Sequence, residues 1–219
     1  VLMRSIILGA AILVSNTTLA QVYSTVNAFN KAGLINSKET YKEIKGEPFL
    51  FKDYKTADIK FANSNTAAYS IKYDQLEDKV IVKGPGTEEY SFNDDIVQFN
   101  FKEENQLFRA GFSPTGKMTE KSFYQVIYDG KTKYIKRLSK IIIESKGYNT
   151  PTIEKKVEKD YSYYIVKDNK TPISVKNNEK SILAVLDTKG DFAKYIKEKK
   201  LSLKNDEDVI TFLTYYDSL

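Results

Sequence analysis

From Pro48 to Val175 apolar and polar residues alternate with a period close to two. Turn-forming clusters interrupt this pattern about every 8–12 residues. A period of two sends successive side chains to opposite faces of a strand, so such a chain folds by pairing short strands. Segments 57–61 (ADIKF), 67–73 (AAYSIKY) and 79–83 (KVIVK) are predicted strands. Shorter ones are predicted at 89–92, 95–101 and 107–111. Further on come 122–128 (SFYQVIY), 131–143 (KTKYIKRLSKIII), 152–159, 161–167 and 173–175. The breaks are Asn63-Ser64-Asn65, Leu76-Glu77-Asp78, Gly84-Pro85-Gly86, Asp129-Gly130 and Asp168-Asn169-Lys170. Asp129-Gly130 between two β-rich runs predicts a type I′ hairpin, with Gly130 at positive φ. About ten strands this closely spaced, without long crossovers, predict mostly antiparallel pairing.

After Asn177 the period changes. Asn178 is placed to cap a helix carrying Ile182, Leu183, Val185 and Leu186. A second helix is predicted from Gly190-Asp191, with Phe192, Tyr195 and Ile196 on one face. Asn205 caps a third, whose first turn (Asp206, Glu207, Asp208) complements the helix dipole. Its buried stripe is read as Val209, Ile210, Leu213 and Tyr216. Nearer the start, Val22, Val26 and Phe29 predict a short helical face ending at Gly33. The expected class is α+β: mainly antiparallel β, as a sandwich or an open barrel-like sheet, followed by short C-terminal helices. Residues 21–219 read as a single β-rich domain with a helical segment at 178–217.

Residues 1–20 read as a secretory signal peptide: Arg4, the apolar run IILGAAILV at 6–14, and a small-x-Ala site at Thr18-Leu19-Ala20. That run is too short to span a bilayer, which needs about 20 residues. The expected location is therefore the periplasm or cell envelope, without a membrane span in the mature chain. An outer-membrane barrel is disfavoured, because the strands are short and carry Lys on both faces.

The chain of 219 residues has neither His nor Cys. This removes Ser-His-Asp and Cys-His catalysis, imidazole and thiolate metal sites, disulfides and Cys lipidation. A net charge of +5 is too small to mark a nucleic-acid partner. Residues 111–118 (GFSPTGKM) approach the phosphate-binding loop G-x-x-x-x-G-K-[S/T]. Met118 replaces the magnesium-binding hydroxyl, Pro114 lacks an N–H, and a strand rather than a helix is predicted next. A β-turn around Pro114 is expected there, and no nucleotide. The carboxylate pairs Glu88-Glu89, Asp94-Asp95, Glu103-Glu104 and Asp206-Glu207-Asp208 lie in predicted turns or helix starts. Neighbours on a strand diverge, so no pair converges by itself. Ser139-Lys140 fails as a hydrolase pair for the same reason. No catalytic residue, metal ligand or cofactor is assigned.

Tyr is abundant, with 16 residues beside 12 Phe and no Trp. Tyr161 and Tyr163 share one face of their strand, with Tyr164 and Val166 on the other. Tyr124 and Tyr128 share a face with Val126, and Tyr134 lies on the returning strand. Tyr124, Tyr128, Tyr134, Tyr161 and Tyr163 are therefore the candidate ligand-binding face, since Tyr offers broad contact area with a polar tip. The competing reading is ordinary half-burial of a favoured strand residue.

The motif Gly46-Glu47-Pro48-Phe49-Leu50 resembles the Gly-x-Pro-Tyr-Leu motif of a group of uncharacterised exported bacterial proteins. Lys72-Tyr73-Asp74, Asp78-Lys79-Val80, residues 123–131 (FYQVIYDGK) and the tail 212–216 (FLTYY) extend the likeness. The resemblance implies export and a β-rich fold, and it carries no activity. The expectation is an exported envelope protein that binds a ligand or partner without converting it. The alternative is a His- and Cys-free hydrolase acting on polysaccharide or peptide through dispersed carboxylates or Tyr.

Overall fold

Ala57, Ile59 and Phe61 alternate along one strand, and all three are buried. That alternation is the unit from which the molecule is built. In the computed structural model, which describes residues 34–35, 37–84, 86–92, 95–146, 153–168, 171–186 and 191–219, twelve strands form one sheet. A first meander comprises β3 (Lys55–Phe61), β4 (Thr66–Asp74), β5 (Lys79–Lys83) and β6 (Glu89–Ser91). A second comprises β7 (Ile96–Phe101), β8 (Gln106–Arg109), β9 (Tyr124–Asp129), β10 (Lys133–Lys146), β11 (Ile153–Val166) and β12 (Ile173–Val175). The two join where β3 pairs antiparallel with β7. The short β1 (Leu34–Ile35) adds to β6, and β2 (Ile44–Lys45) pairs with β11 as the one parallel contact among the described residues. The sheet runs from β1 to β12 without its ends pairing, so it is open rather than a two-sheet sandwich.

The sheet is strongly curled. β4 and β8 are three strands apart in the order, or about 14 Å on a flat sheet. Yet the rings of Tyr73 and Phe108 lie 5.3 Å apart, and Phe99 stacks on Phe108 at 4.8 Å. Phe101, Phe123, Ile71 and Val82 complete this aromatic core. A buried polar centre ties it to β10: Arg137 donates to Tyr73 Oη (2.9 Å), Asp78 Oδ1 (2.9 Å) and the Phe123 carbonyl (2.8 Å). Burial and the Asp78 charge hold the Tyr73 phenol well above its ordinary pKa, so it stays a neutral donor.

Strands β9 to β11 are covered on both faces at their base. Tyr134 and Ile165 pack under the C-terminal helices α2 (Glu179–Val185), α3 (Phe192–Glu198) and α4 (Asp206–Asp217), where α1 is the short turn Ser37–Thr40. Ile135, Tyr164 and Tyr124 pack under Phe112 and Met118 on the other face. The loop that mimics a phosphate site is thus a cover: Thr115 and Met118 exchange backbone bonds around Gly116-Lys117, and no helix follows. The tight turn lies after Pro114, not around it.

The helix caps are Asn178, Asp191 and Asn205, whose side chains accept from the N–H of Ser181, Lys194 and Asp208. In α4 the buried stripe is Val209, Phe212 and Leu213, so Phe212 takes the place expected of Ile210. The strands predicted at 152–159 and 161–167 are one strand over Ile153–Val166, because Asp160 continues β11 opposite Ser139 instead of breaking it. The two-residue strands β1 and β2 carry too few residues to show a period. The predicted helical face at 22–29 and the signal segment 1–20 lie outside the described residues.

The Asp129-Gly130 hairpin forms, but not as a type I′ turn. Asp129 pairs with Lys133, leaving Gly130-Lys131-Thr132 as the loop, and Gly130 is not among the positive-φ glycines. Close approach requires glycine here: an added Cβ would sit 2.2 Å from Asp217 Oδ2 and 2.5 Å from Tyr128 Oη. The end of α4 plugs this loop. Asp217 accepts the Thr132 N–H (3.0 Å) and the Tyr128 hydroxyl (3.1 Å), while Lys131 Nζ reaches the Asp217 carbonyl (2.8 Å).

Candidate functional site

The five tyrosines singled out by sequence do not form one face. Tyr134 is fully buried and donates to Asn177 Oδ1 at 2.6 Å. Tyr124 is also buried, on the opposite face, and its hydroxyl has no hydrogen-bond partner. Tyr128 does not share its face. The register slips from Tyr134↔Tyr128 to Ile135↔Val126, so Ile127 is an extra residue that turns Tyr128 toward the helices. Tyr163 is half-buried and stacks on Tyr134 with ring centroids 5.5 Å apart. Of the five, Tyr161 alone is exposed, at 56%.

Tyr161 leads to the cleft. Pairing Leu138↔Tyr161 and Lys140↔Lys159 puts these four side chains on one face of the β10–β11 ribbon, with Lys136 one step back opposite Tyr163. Residues 46–50 cross this face as a strap. Gly46 makes the crossing at φ +105°, where its missing Cβ leaves room for Val157, 3.2 Å from that position. Lys140 Nζ pins the strap by donating to the carbonyls of Glu47 (2.7 Å) and Phe49 (2.5 Å). The Gly-Glu-Pro-Phe-Leu motif noted in the sequence is this strap. Between the strap, the β4–β5 turn and β8–β9 remains a cleft of about 400 Å³.

Three lysines (136, 140, 159) and three glutamines (75, 106, 125) line it with Leu50, Leu138, Ser139 and Tyr161, and among the described residues no carboxylate does. Among the described residues neither Lys136 nor Lys159 pairs with an acid. The Lys136 ammonium lies 4.8 Å from the ring centres of both Tyr161 and Tyr163. Burial lowers the Lys140 pKa, and the Lys159 charge lowers it further, against Glu47 and Asp74. Gln75 spends its amide on the Leu138 carbonyl (3.2 Å), whereas Gln106 Oε1 is buried with no donor. The cleft thus holds positive charge and amide capacity that the protein itself does not satisfy.

A larger groove of about 520 Å³ lies near Phe92 and Phe123, but most of its charges sit in ion pairs within the protein. There Asp95 pairs with Lys121 at 2.8 Å, and Asp78 is held by Arg137. Several of the acidic residues seen in sequence are likewise committed. Glu104 binds Lys55 (2.7 Å), Glu88 accepts the Gly86 N–H (3.1 Å), and Asp208 accepts from Ser202 N (2.7 Å). Glu89 accepts from Ser37 N (3.0 Å) and Tyr54 (2.7 Å), anchoring α1. Asp94 lies outside the described residues. Among the described residues no cluster of three acidic side chains is placed to hold a metal.

Sequence reasoning missed the cleft's lysines because Lys on a strand reads as solubility. Alternation did carry a signal, since Lys136 and Lys140 share a face with Leu138. The glutamines carried none, being scattered over three other elements. No family model matches the chain, and neither a curated sequence nor a solved structure is similar to it.

Proposed function

We propose that the chain is an exported protein of the cell envelope that binds a small ligand in the strap-covered cleft and does not convert it. The reading rests on one observation: the cleft is lined by ammonium groups, amides and an exposed aromatic ring, and among the described residues no carboxylate lines it. Hydrolysis without His or Cys needs two convergent acids or an activated nucleophile, and this lining supplies neither. The apolar run at 6–14 and the resemblance to exported proteins support the location. A cleft of this size falls within the ~300–1,000 Å³ usual for small-molecule sites.

The test is a native mass spectrum of the protein taken from its own envelope fraction. The expected result is a mass beginning at Gln21 with a small-molecule adduct, lost on Tyr161→Ala combined with Lys159→Glu. A mass retaining residues 1–20 would overturn export. A bare protein, or an adduct that survives both substitutions, would overturn the assignment of the cleft.

A further inference from the structure

We propose that the ligand of this cleft is a sugar acid, a saccharide of one or two units carrying a carboxylate. This rests on the binding reading above and specifies its chemistry. The carboxylate follows from the charge. Among the described residues Lys136 and Lys159 flank the cleft without an acidic partner, and no lining residue is negative. Bringing like charges together costs free energy that an anion recovers, and more so where water is partly excluded.

The cationic lining disfavours amino acids and peptide termini that bring their own ammonium group. The saccharide body follows from the neutral lining. Gln106 and Gln125 present amides that both donate and accept. Hydroxyl groups match such a lining because each also does both. The buried Gln106 Oε1 lacks a donor, and turning its terminal amide would offer it to a ligand hydroxyl. The exposed Tyr161 ring beside them suits the C–H face of a pyranose, as aromatic side chains with one wet edge do. Inorganic phosphate shares the charge and can accept from the amide N–H groups, but it leaves the ring unused.

The experiment is isothermal calorimetry on the full chain with three probes: digalacturonic acid, the corresponding neutral digalactose, and inorganic phosphate. The expected result is binding of the sugar acid at least ~tenfold tighter than of either other probe, a difference of about 1.4 kcal/mol. Its affinity should fall with added salt, since Lys159 is exposed and screened. Lys159→Glu should weaken it ~tenfold or more. Lys136→Met should do the same, so the result does not depend on one variant. Lys156→Glu, on the other face of the ribbon, should leave it unchanged. Equal binding of digalactose would overturn the acid, and equal binding of phosphate would overturn the sugar. If no probe binds while the envelope-purified protein still carries its cleft-dependent adduct, the ligand class is wrong and the binding reading stands. If neither adduct nor binding is found, both fall.

Discussion

The two halves of the β10–β11 ribbon share strands and a continuous register, yet differ in almost everything that matters for stability. At the base, Tyr134, Ile135, Tyr164, Ile165 and Val166 are buried between the helices and the Phe112 cover. Toward the tip, Ile141, Ile142 and Ile143 are 45%, 42% and 39% exposed, and Ile153 is 56% exposed. Backbone pairing is continuous from Lys133↔Val166 to Lys146↔Ile153, so hydrogen bonding does not separate the halves. What separates them is whether another element lies on the face. A β-branched residue forms the strand in both places, and it contributes packing energy only at the base.

That contrast is open to direct attack. Ile165→Ala should lower unfolding free energy the most, by about 3 kcal/mol, because it leaves a cavity where nothing can collapse inward. Denaturant titration measures it. A loss under 1 kcal/mol would mean the base is loosely packed. Gly130→Ala should come next, at about 2 kcal/mol, since its Cβ must displace the Asp217 plug from the base of the ribbon. Thr132 and Tyr128 would lose their acceptor together, visible as new amide shifts at both residues.

Lys140→Met tests the boundary between the halves and should cost about 1 kcal/mol by freeing the strap carbonyls. Faster proteolysis near residues 46–50 is the matching readout. A smaller effect is pH-dependent. The Arg109 fork, with Lys133, holds the Asp129 carboxyl below its usual range. A depressed carboxylate adds stability above its unfolded pKa, near 3.9, and loses it as pH falls through the folded value. The unfolding midpoint should therefore drop below about pH 4, and Asp129→Asn should flatten that part of the profile. Smallest of all is Ile142→Thr at the tip, which should shift stability by no more than about 0.5 kcal/mol. A shift as large as that of Ile165→Ala would show that the tip is covered in solution.

The same contrast explains how far the sequence could be read. Period two exposed the strands, and Asn178, Asp191 and Asn205 marked the helix starts, because these are local signals. The merging of 152–159 with 161–167 was hidden because Asp160 reads as a break until Ser139 is known to lie opposite. The orientation of Tyr128 depends on the slip at Ile127, which alternation cannot anticipate. The cleft was least legible. Its residues come from the strap, the β4–β5 turn, β8, β9 and the ribbon, and only the curl of the sheet gathers them. Conversely, Gly130 was rightly picked out as glycine-only, but for a dihedral reason where the real one is the neighbouring carboxylate.

The strap also sets an order of events. Lys140 lies 93 residues along the chain from the Glu47 carbonyl it holds, and β2 finds its partner only once β11 exists. Closing so long a loop costs more entropy than any hairpin in the meanders, and non-local contacts of this kind slow folding. The strap is therefore expected among the last parts of the described structure to lock. A chain that emerges N-terminus first holds its strap open until the ribbon arrives, and in that interval the cleft has no roof.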